Sequence, residues 1–318
     1  MMAMEPSEKR ETPKLLRAPT RTIRTWHMDS LRWNDFVPRT DDIIIATYPK
    51  CGTTWMQQIV SLLIFQSADA RPVTAMSPWI DARFTIPLAD MLRLIDAQTH
   101  RRFLKTHLPA DAFPIYQNTK MIHVARDGLD ACMSWHNHSL RYKRLNLLDD
   151  VGLADKSIGR LYPRPAESAR QFFLDWMGQS GPERQTDVSV ETYFDTHRSY
   201  WNCRHDPNLL SVHYNDLKND LDGEMRRIAK FLEIETPHAL WPQLVQAATF
   251  AAMQREGAAL MPTAVNSWTG GHAGFIFSGE NERWRAELGA DDIELYRAEA
   301  ARELEPELNA WLRRGRSL

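Results

Sequence analysis

A short run, Thr47-Tyr48-Pro49-Lys50-Cys51-Gly52-Thr53-Thr54-Trp55, joins an apolar stretch to an apolar helical pattern. A strand that turns through a glycine into hydroxyl residues opening a helix makes an anion site. The first backbone N–H groups of a helix lack partners within it, and its positive end points at whatever binds there. Lys50 adds a mobile full charge, and Thr53 and Thr54 add hydroxyl donors. The triphosphate pattern GxxxxGK[ST] is absent, since this loop has one glycine and the lysine precedes it. Further on, Phe103-Leu104-Lys105-Thr106-His107-Leu108-Pro109 reads as a strand entering a turn. A histidine there, two residues from a lysine, is placed to take a proton near an anion, and its unperturbed pKa of about 6.5 suits a general base. Arg126 follows a third apolar run, and Ser134 comes eight residues later in a helical pattern. That spacing is just over two helical turns, so both groups can converge on one anion, for which arginine offers bidentate contacts.

The elements that must position these groups are legible. Residues 43–47, 103–105, 121–125 and 209–214 are short apolar runs without strict alternation, as suits strands covered on both faces. Trp55, Ile59, Leu62 and Leu63 share one helical face, and Leu221, Met225, Ile228 and Leu232 share another. Strands alternating with helices imply βαβ units. The expected fold is therefore α/β: a single domain with a central parallel sheet flanked by helices and a P-loop-like loop after its first strand. Residues 1–24, rich in charge and proline, read as a flexible N-terminal arm preceding a domain over 25–318, and the irregular, Pro- and Arg-rich stretch 141–200 as an elaboration of it. The closing residues, with Trp284, Leu288, Leu295 and Trp311 among alternating charges, read as a surface helix.

The chain has 318 residues, with 39 Lys plus Arg against 41 Asp plus Glu and a net charge of −2. That balance removes the basic excess of a duplex nucleic-acid binder. The 43% hydrophobic content supports a large core and excludes global disorder. Cys51, Cys132 and Cys203 form no CxxC pair and no even disulfide framework, so a reducing compartment is expected. No secretory leader pattern is present, and the longest mostly apolar stretch, 59–65, is far short of the ~20 residues that cross a bilayer. The expectation is a cytoplasmic protein without nucleic-acid or membrane partners.

The loop at 47–55 resembles the 5′-phosphosulfate loop of the cytosolic sulfotransferase family, TYPK-S/A-GTTW, at eight of nine positions, with Cys51 in the variable one. Lys105–Pro109 likewise matches that family's KTHLP, and the likeness points to a bacterial-type member. The resemblance implies a donor, 3′-phosphoadenosine 5′-phosphosulfate (PAPS, leaving PAP), a hydroxyl acceptor that is a phenol or an alcohol, and no metal. It implies His107 as general base, with Lys50 and Lys105 neutralising charge on the sulfonate and leaving oxygens. The loop residues Lys50, Cys51, Gly52, Thr53, Thr54 and Trp55 would hold the 5′ end, and Arg126 and Ser134 the 3′-phosphate. Tyr214, in a segment resembling YEDLK, would contact adenine or ribose. Thr249, Phe250 and Met253 resemble SFxxM, whose aromatic stacks on adenine, with Trp55 as the second face.

A loop resembling RKGxxGxWK keeps Gly279 and Trp284, but Phe277 and Ser278 stand where the basic pair would clamp the 3′-phosphate. Either Arg283 or Arg285 compensates, or selectivity for the 3′-phosphate is weaker. The family's dimer segment is absent from 286–296, so no oligomeric state carries over. Aromatic and Met residues in 76–91 (Met76, Trp79, Phe84, Met91) and 135–200 (Trp135, Tyr142, Phe172, Phe173, Trp176) suit either an acceptor pocket or core. His136 and His138 read as helix-surface residues. Two rival readings stand beside the transferase: a P-loop-like ATP-dependent kinase, against which Arg126 stands where an acidic metal ligand belongs, and a non-catalytic PAP sensor. Cys51 reads as a small residue at a backbone-contact slot, not as a nucleophile.

Overall fold

The apolar run Ile43–Thr47 becomes β2, buried along its whole length. Alternate side chains feed opposite faces of the sheet: Ile43 and Ile45 join one core cluster, Ile44 and Ala46 another. This is the double burial that a strand of continuous hydrophobicity requires. Three further parallel strands join it, β3 (Phe103–Thr106), β5 (Lys120–Ala125) and β6 (Leu209–His213), in the order β3-β2-β5-β6. The sheet lies in a computed structural model that describes residues 13–316.

One face of the sheet is covered by α1 (Thr53–Phe65) and the helix Leu221–Phe231, through Met56, Ile59, Met225 and Ile228 among others. The other face packs on Trp33, Phe113, Tyr200 and their neighbours. A third cluster joins Tyr48 and Cys51 to the helices Gly128–Arg141, Val190–Trp201, Ala290–Glu303 and Pro306–Arg314. The result is the single α/β domain with a central parallel sheet flanked by helices.

Three expectations change. Strand β6 ends at His213, because the His213 imidazole accepts the N–H of Asn215 at 3.1 Å and caps a helix that already begins at Tyr214. Of the arm expected over 1–24, residues 13–24 are tied to the domain, and the remainder lies outside the described residues. Strand β1 (Leu15–Arg17) pairs with β4 (Ile115–Tyr116), Arg17 meets Asp206, and Arg21 meets Asp111 and Asp195. The C-terminal surface helix is instead two helices after a 3-10 turn at Arg283–Ala286. Among the described residues no helix is long and apolar enough to cross a membrane.

Candidate active site

Four parallel strands end on the same side, and each delivers one group. Lys50 follows β2, His107 follows β3, Arg126 follows β5 and Tyr214 follows β6. The chain leaves β2 for β3 on one side and later enters β5 on the other, so strand order reverses at β2. Ligands of open α/β sheets bind at the carboxyl ends of the strands at such a switch point. All four groups line one cavity of about 840 Å³.

The β2–α1 loop is shaped for an anion. Lys50 and Gly52 both take left-handed backbone angles, φ 68° and 105°, and no side chain caps α1. An uncapped helix start offers its N–H groups to a ligand. Only glycine fits at position 52, where a Cβ would also sit 3.1 Å from the Tyr214 ring. Lys50, a bulkier residue held at positive φ, is the type of strained residue found at functional sites. Burial, then the charges of Arg126 and Lys105, lower its pKa to about 7. Lys105, buried over the Trp79 ring at 4.2 Å, is lowered by burial to about 8, with Asp81 opposing.

His107 is 6% exposed, and its Nδ1 lies 2.7 Å from the Thr47 carbonyl oxygen. A carbonyl only accepts, so Nδ1 carries the hydrogen and Nε2 keeps a free lone pair. Burial, then Lys105, hold the ring pKa well below 6.5, so the imidazole is neutral. Asp81 supports this arrangement: it accepts from Trp33 and Trp79 and from the His107 backbone N–H.

Beyond β5, Arg126 donates to the Glu280 carbonyl at 3.1 Å and to Asn281 Oδ1 at 3.0 Å, and lies over the Tyr214 ring at 4.3 Å. It forms no ion pair with Asp130, which instead accepts the Glu282 N–H at 2.6 Å. Its Nε is buried without a partner. A buried unpaired donor on a cation is costly unless an anion completes it. Ser134 lines the same cavity, and so does Arg283. Arg285 is instead paired with Glu282, so Arg283 is the one of the two that meets the cavity. The guanidinium groups of Arg283 and Arg141 both lie over the Phe277 ring, at 4.8 and 4.9 Å. An aromatic residue in the basic slot thus holds two arginines.

Trp55 and Tyr214 meet edge to face at 5.2 Å. Phe250 and Met253 also line the cavity, and a Cβ on Gly279 would come within 2.5 Å of the Phe250 ring. Two sequence-predicted site residues do not reach the wall. Thr249 caps the helix Phe250–Arg255 with its hydroxyl, and Cys51 is fully buried with its thiol pushed up to about 12 by burial.

The acceptor candidates separate. Trp79, Phe84, Met91, Trp135 and Tyr142 line the cavity, whereas Phe172, Phe173 and Trp176 belong to the core. His138 is not a surface residue. It stacks on Trp135 at 4.9 Å, lies beside Trp268 and Phe275, and has Nδ1 3.3 Å from Lys50 Nζ. Trp268, Phe275, Glu280, Asn281 and His27 escape sequence reasoning: His27, Trp268 and Phe275 carry no local pattern of their own, and Glu280 and Asn281 fall at the variable positions of the loop that holds Gly279 and Trp284.

The fold and strand-end loop define an α/β protein with a site shaped for an anion at the carboxyl ends of its parallel strands. Residues 40–304 match the Sulfotransferase domain family, and the chain belongs to that family. It is 30% identical to a glycolipid sulfotransferase of Mycobacterium bovis (strain BCG / Pasteur 1173P2), over 92% of this chain and 94% of that one. It is 26% identical to sulfotransferase 1A1 of Rattus norvegicus over 69% of each. In fold it is similar to retinol dehydratase in complex with androsterone and the inactive cofactor PAP (TM-score 0.66, 22% identity, 87% and 84% covered). It is also similar to a mouse sulfotransferase complexed with PAP (TM-score 0.64, 18% identity, 88% and 90% covered).

Proposed function

We propose that this sulfotransferase uses PAPS to sulfate a hydroxyl, phenolic or alcoholic, on a small apolar acceptor, with His107 as general base. The observation that carries the reading is the His107 tautomer: Thr47 takes Nδ1–H, and Nε2 remains a basic lone pair on the wall of the cavity that the anion loop enters.

The residues fit the donor. Arg126 holds an unpaired buried Nε, α1 starts uncapped, and Trp55 and Phe250 line the same cavity. When bound, PAPS supplies a sulfuryl group whose bond to the 5′-phosphate oxygen breaks as the acceptor oxygen bonds to sulfur. Arg126, Ser134 and Arg283 take the 3′-phosphate, and the loop N–H groups with Thr53 and Thr54 take the 5′-phosphate. His107 Nε2 accepts the acceptor's hydroxyl proton, a contribution of about 10²–10⁴ in rate. Lys50 and Lys105 face the charge that grows on the sulfonate and leaving oxygens.

An apolar acceptor is supported by the apolar part of the cavity lining, which includes Trp79, Phe84, Trp135, Tyr142, Leu148 and Tyr162. Relatives whose names specify glycolipids, and a fold neighbour holding androsterone, agree in chemical class. The test is transfer of labelled sulfate from PAPS to apolar phenols and alcohols, without added metal, by wild type and His107→Ala, with PAP binding measured on both. Turnover that collapses in the variant while PAP still binds is expected. PAP binding with no turnover on any acceptor would favour the sensor, and phosphate transfer from ATP would favour the kinase.

A further inference from the structure

A second histidine opens on the acceptor half of the cavity, and proton transfer does not use it. His27 is 6% exposed and lines the cavity, its ring meeting Phe84, Trp135 and Tyr162 edge to face at 5.1–5.7 Å. Asp187, from the elaborated 141–200 stretch, grips it twice: Oδ1 lies 2.7 Å from His27 Nδ1, and Oδ2 accepts the His27 backbone N–H at 3.0 Å. The His27 contacts and a hydrogen bond from Thr25 outweigh burial and keep the Asp187 carboxyl below its ordinary range. An ionised carboxylate only accepts, so Nδ1 carries a hydrogen and the ring is fixed in orientation. Its far edge, Nε2, makes no hydrogen bond among the described residues. Nor is that atom sealed in, since it is not among the fully buried unpartnered atoms. A side chain buried this deeply, pinned on one edge and bare on the other, is built to meet a ligand.

We propose that the His27–Asp187 pair reads a second hydroxyl of the acceptor, one apart from the hydroxyl that is sulfated. The inference rests on the acceptor-site reading above and narrows it: the preferred acceptor is an apolar molecule carrying at least two hydroxyls. Nε2 shares a hydrogen bond with the second hydroxyl, in a wall of aromatic rings that excludes competing water. A site built to hydrogen-bond a hydroxyl rejects the analogue lacking it far more strongly than an apolar pocket rejects a missing methylene.

The test uses alkane diols of graded length and the matching mono-alcohols as acceptors, with PAPS. At one length the wild type is expected to favour the diol by about tenfold or more in kcat/KM. His27→Phe, which keeps the ring and its packing, is expected to bring that ratio close to one, mostly through KM. Asp187→Asn, which frees the ring to adopt the other tautomer, should lower it in part, and His27→Gln should restore some of it. A melting temperature that still rises with PAP shows each variant folded. No diol preference at any length, or a preference that survives His27→Phe, overturns the proposal. Should no alcohol turn over, the transferase reading fails separately, and calorimetric binding of the diol and mono-alcohol to wild type and His27→Phe in the presence of PAP decides the dyad by the same ratio.

Discussion

The two ends of the cavity are built by different means. The end that faces the anion loop is made of groups placed one residue to a few residues beyond four parallel strands. Each position is fixed by a ladder of backbone hydrogen bonds, such as Ala46 beside Thr106 and Ala125 beside His213. The end proposed for the acceptor is made of single side chains from distant loops and helices: His27, Phe84, Tyr142, Trp268 and Phe275. The first kind of wall fixes charges to within the tolerance that catalysis needs. The second is held by ring packing, which tolerates exchange of volume and so lets acceptor preference change without disturbing the donor. A substitution should therefore affect one end and leave the other measurable.

The sharpest test of that separation is His107→Ala, at the junction. It should lower kcat by about 10²–10⁴ while leaving the affinity for PAP nearly intact, read by steady-state kinetics beside calorimetric titration. A parallel loss of PAP affinity would mean that the junction belongs to the donor end. Next is Arg126→Met, which removes the buried cation bridging Glu280 and Asn281 and bearing the unpaired Nε. Each charged hydrogen bond is worth about 1.5–3 kcal/mol, so PAP should bind about 10–100-fold more weakly. The dissociation constant of the acceptor in a binding experiment without PAP should move little.

From the other side, Trp135→Ala removes the ring stacked on His138 and meeting His27 edge to face. It should raise the acceptor KM by about tenfold, as expected for losing one buried aromatic contact, with PAP affinity changed by less than about twofold. Weakening of PAP binding to the same degree would show that the two walls are not independent.

The same division explains what the sequence discloses. The strands are continuous apolar runs, and the loop's chemistry is contiguous, so Lys50, His107 and Arg126 could be named before any coordinates. Tyr214 could be named too, although its element could not: a histidine as helix cap is outside the usual Ser, Thr, Asp and Asn set, so the strand reads one residue too long. His138 shows the opposite limit. On helix Gly128–Arg141 it reads as surface, and only the arrival of Trp268 and Phe275 from far along the chain encloses it. The slot at Phe277 is of the same kind. Its loss of positive charge is visible in sequence, but the gathering of Arg141 and Arg283 on its ring is a tertiary event.

The smallest expected effect is one of pH, and it separates the lysines from the histidine. Lys50 titrates at about 7 and Lys105 at about 8 in the free site, both lowered by burial. A lysine is cationic below its pKa, and an anionic nucleotide favours the cation, so binding is full on the acid side and is lost as pH rises. Between pH 7 and 8 Lys50 passes from about half charged to about one tenth, which should weaken PAP about fivefold by titration alone. The phosphate groups, with a second pKa near 6, are already about nine-tenths ionised at pH 7 and contribute only a slight opposing change in that window. His107, held well below 6.5 by burial and Lys105, stays an unprotonated base throughout it. The turnover of the saturated enzyme should accordingly show no acid limb between pH 6 and 7, while PAP affinity falls on the alkaline side. An acid limb centred near pH 6.5 would mean that the Thr47 carbonyl and the surrounding burial do not keep the imidazole neutral, and the base would then have to be sought at the acceptor end of the cavity.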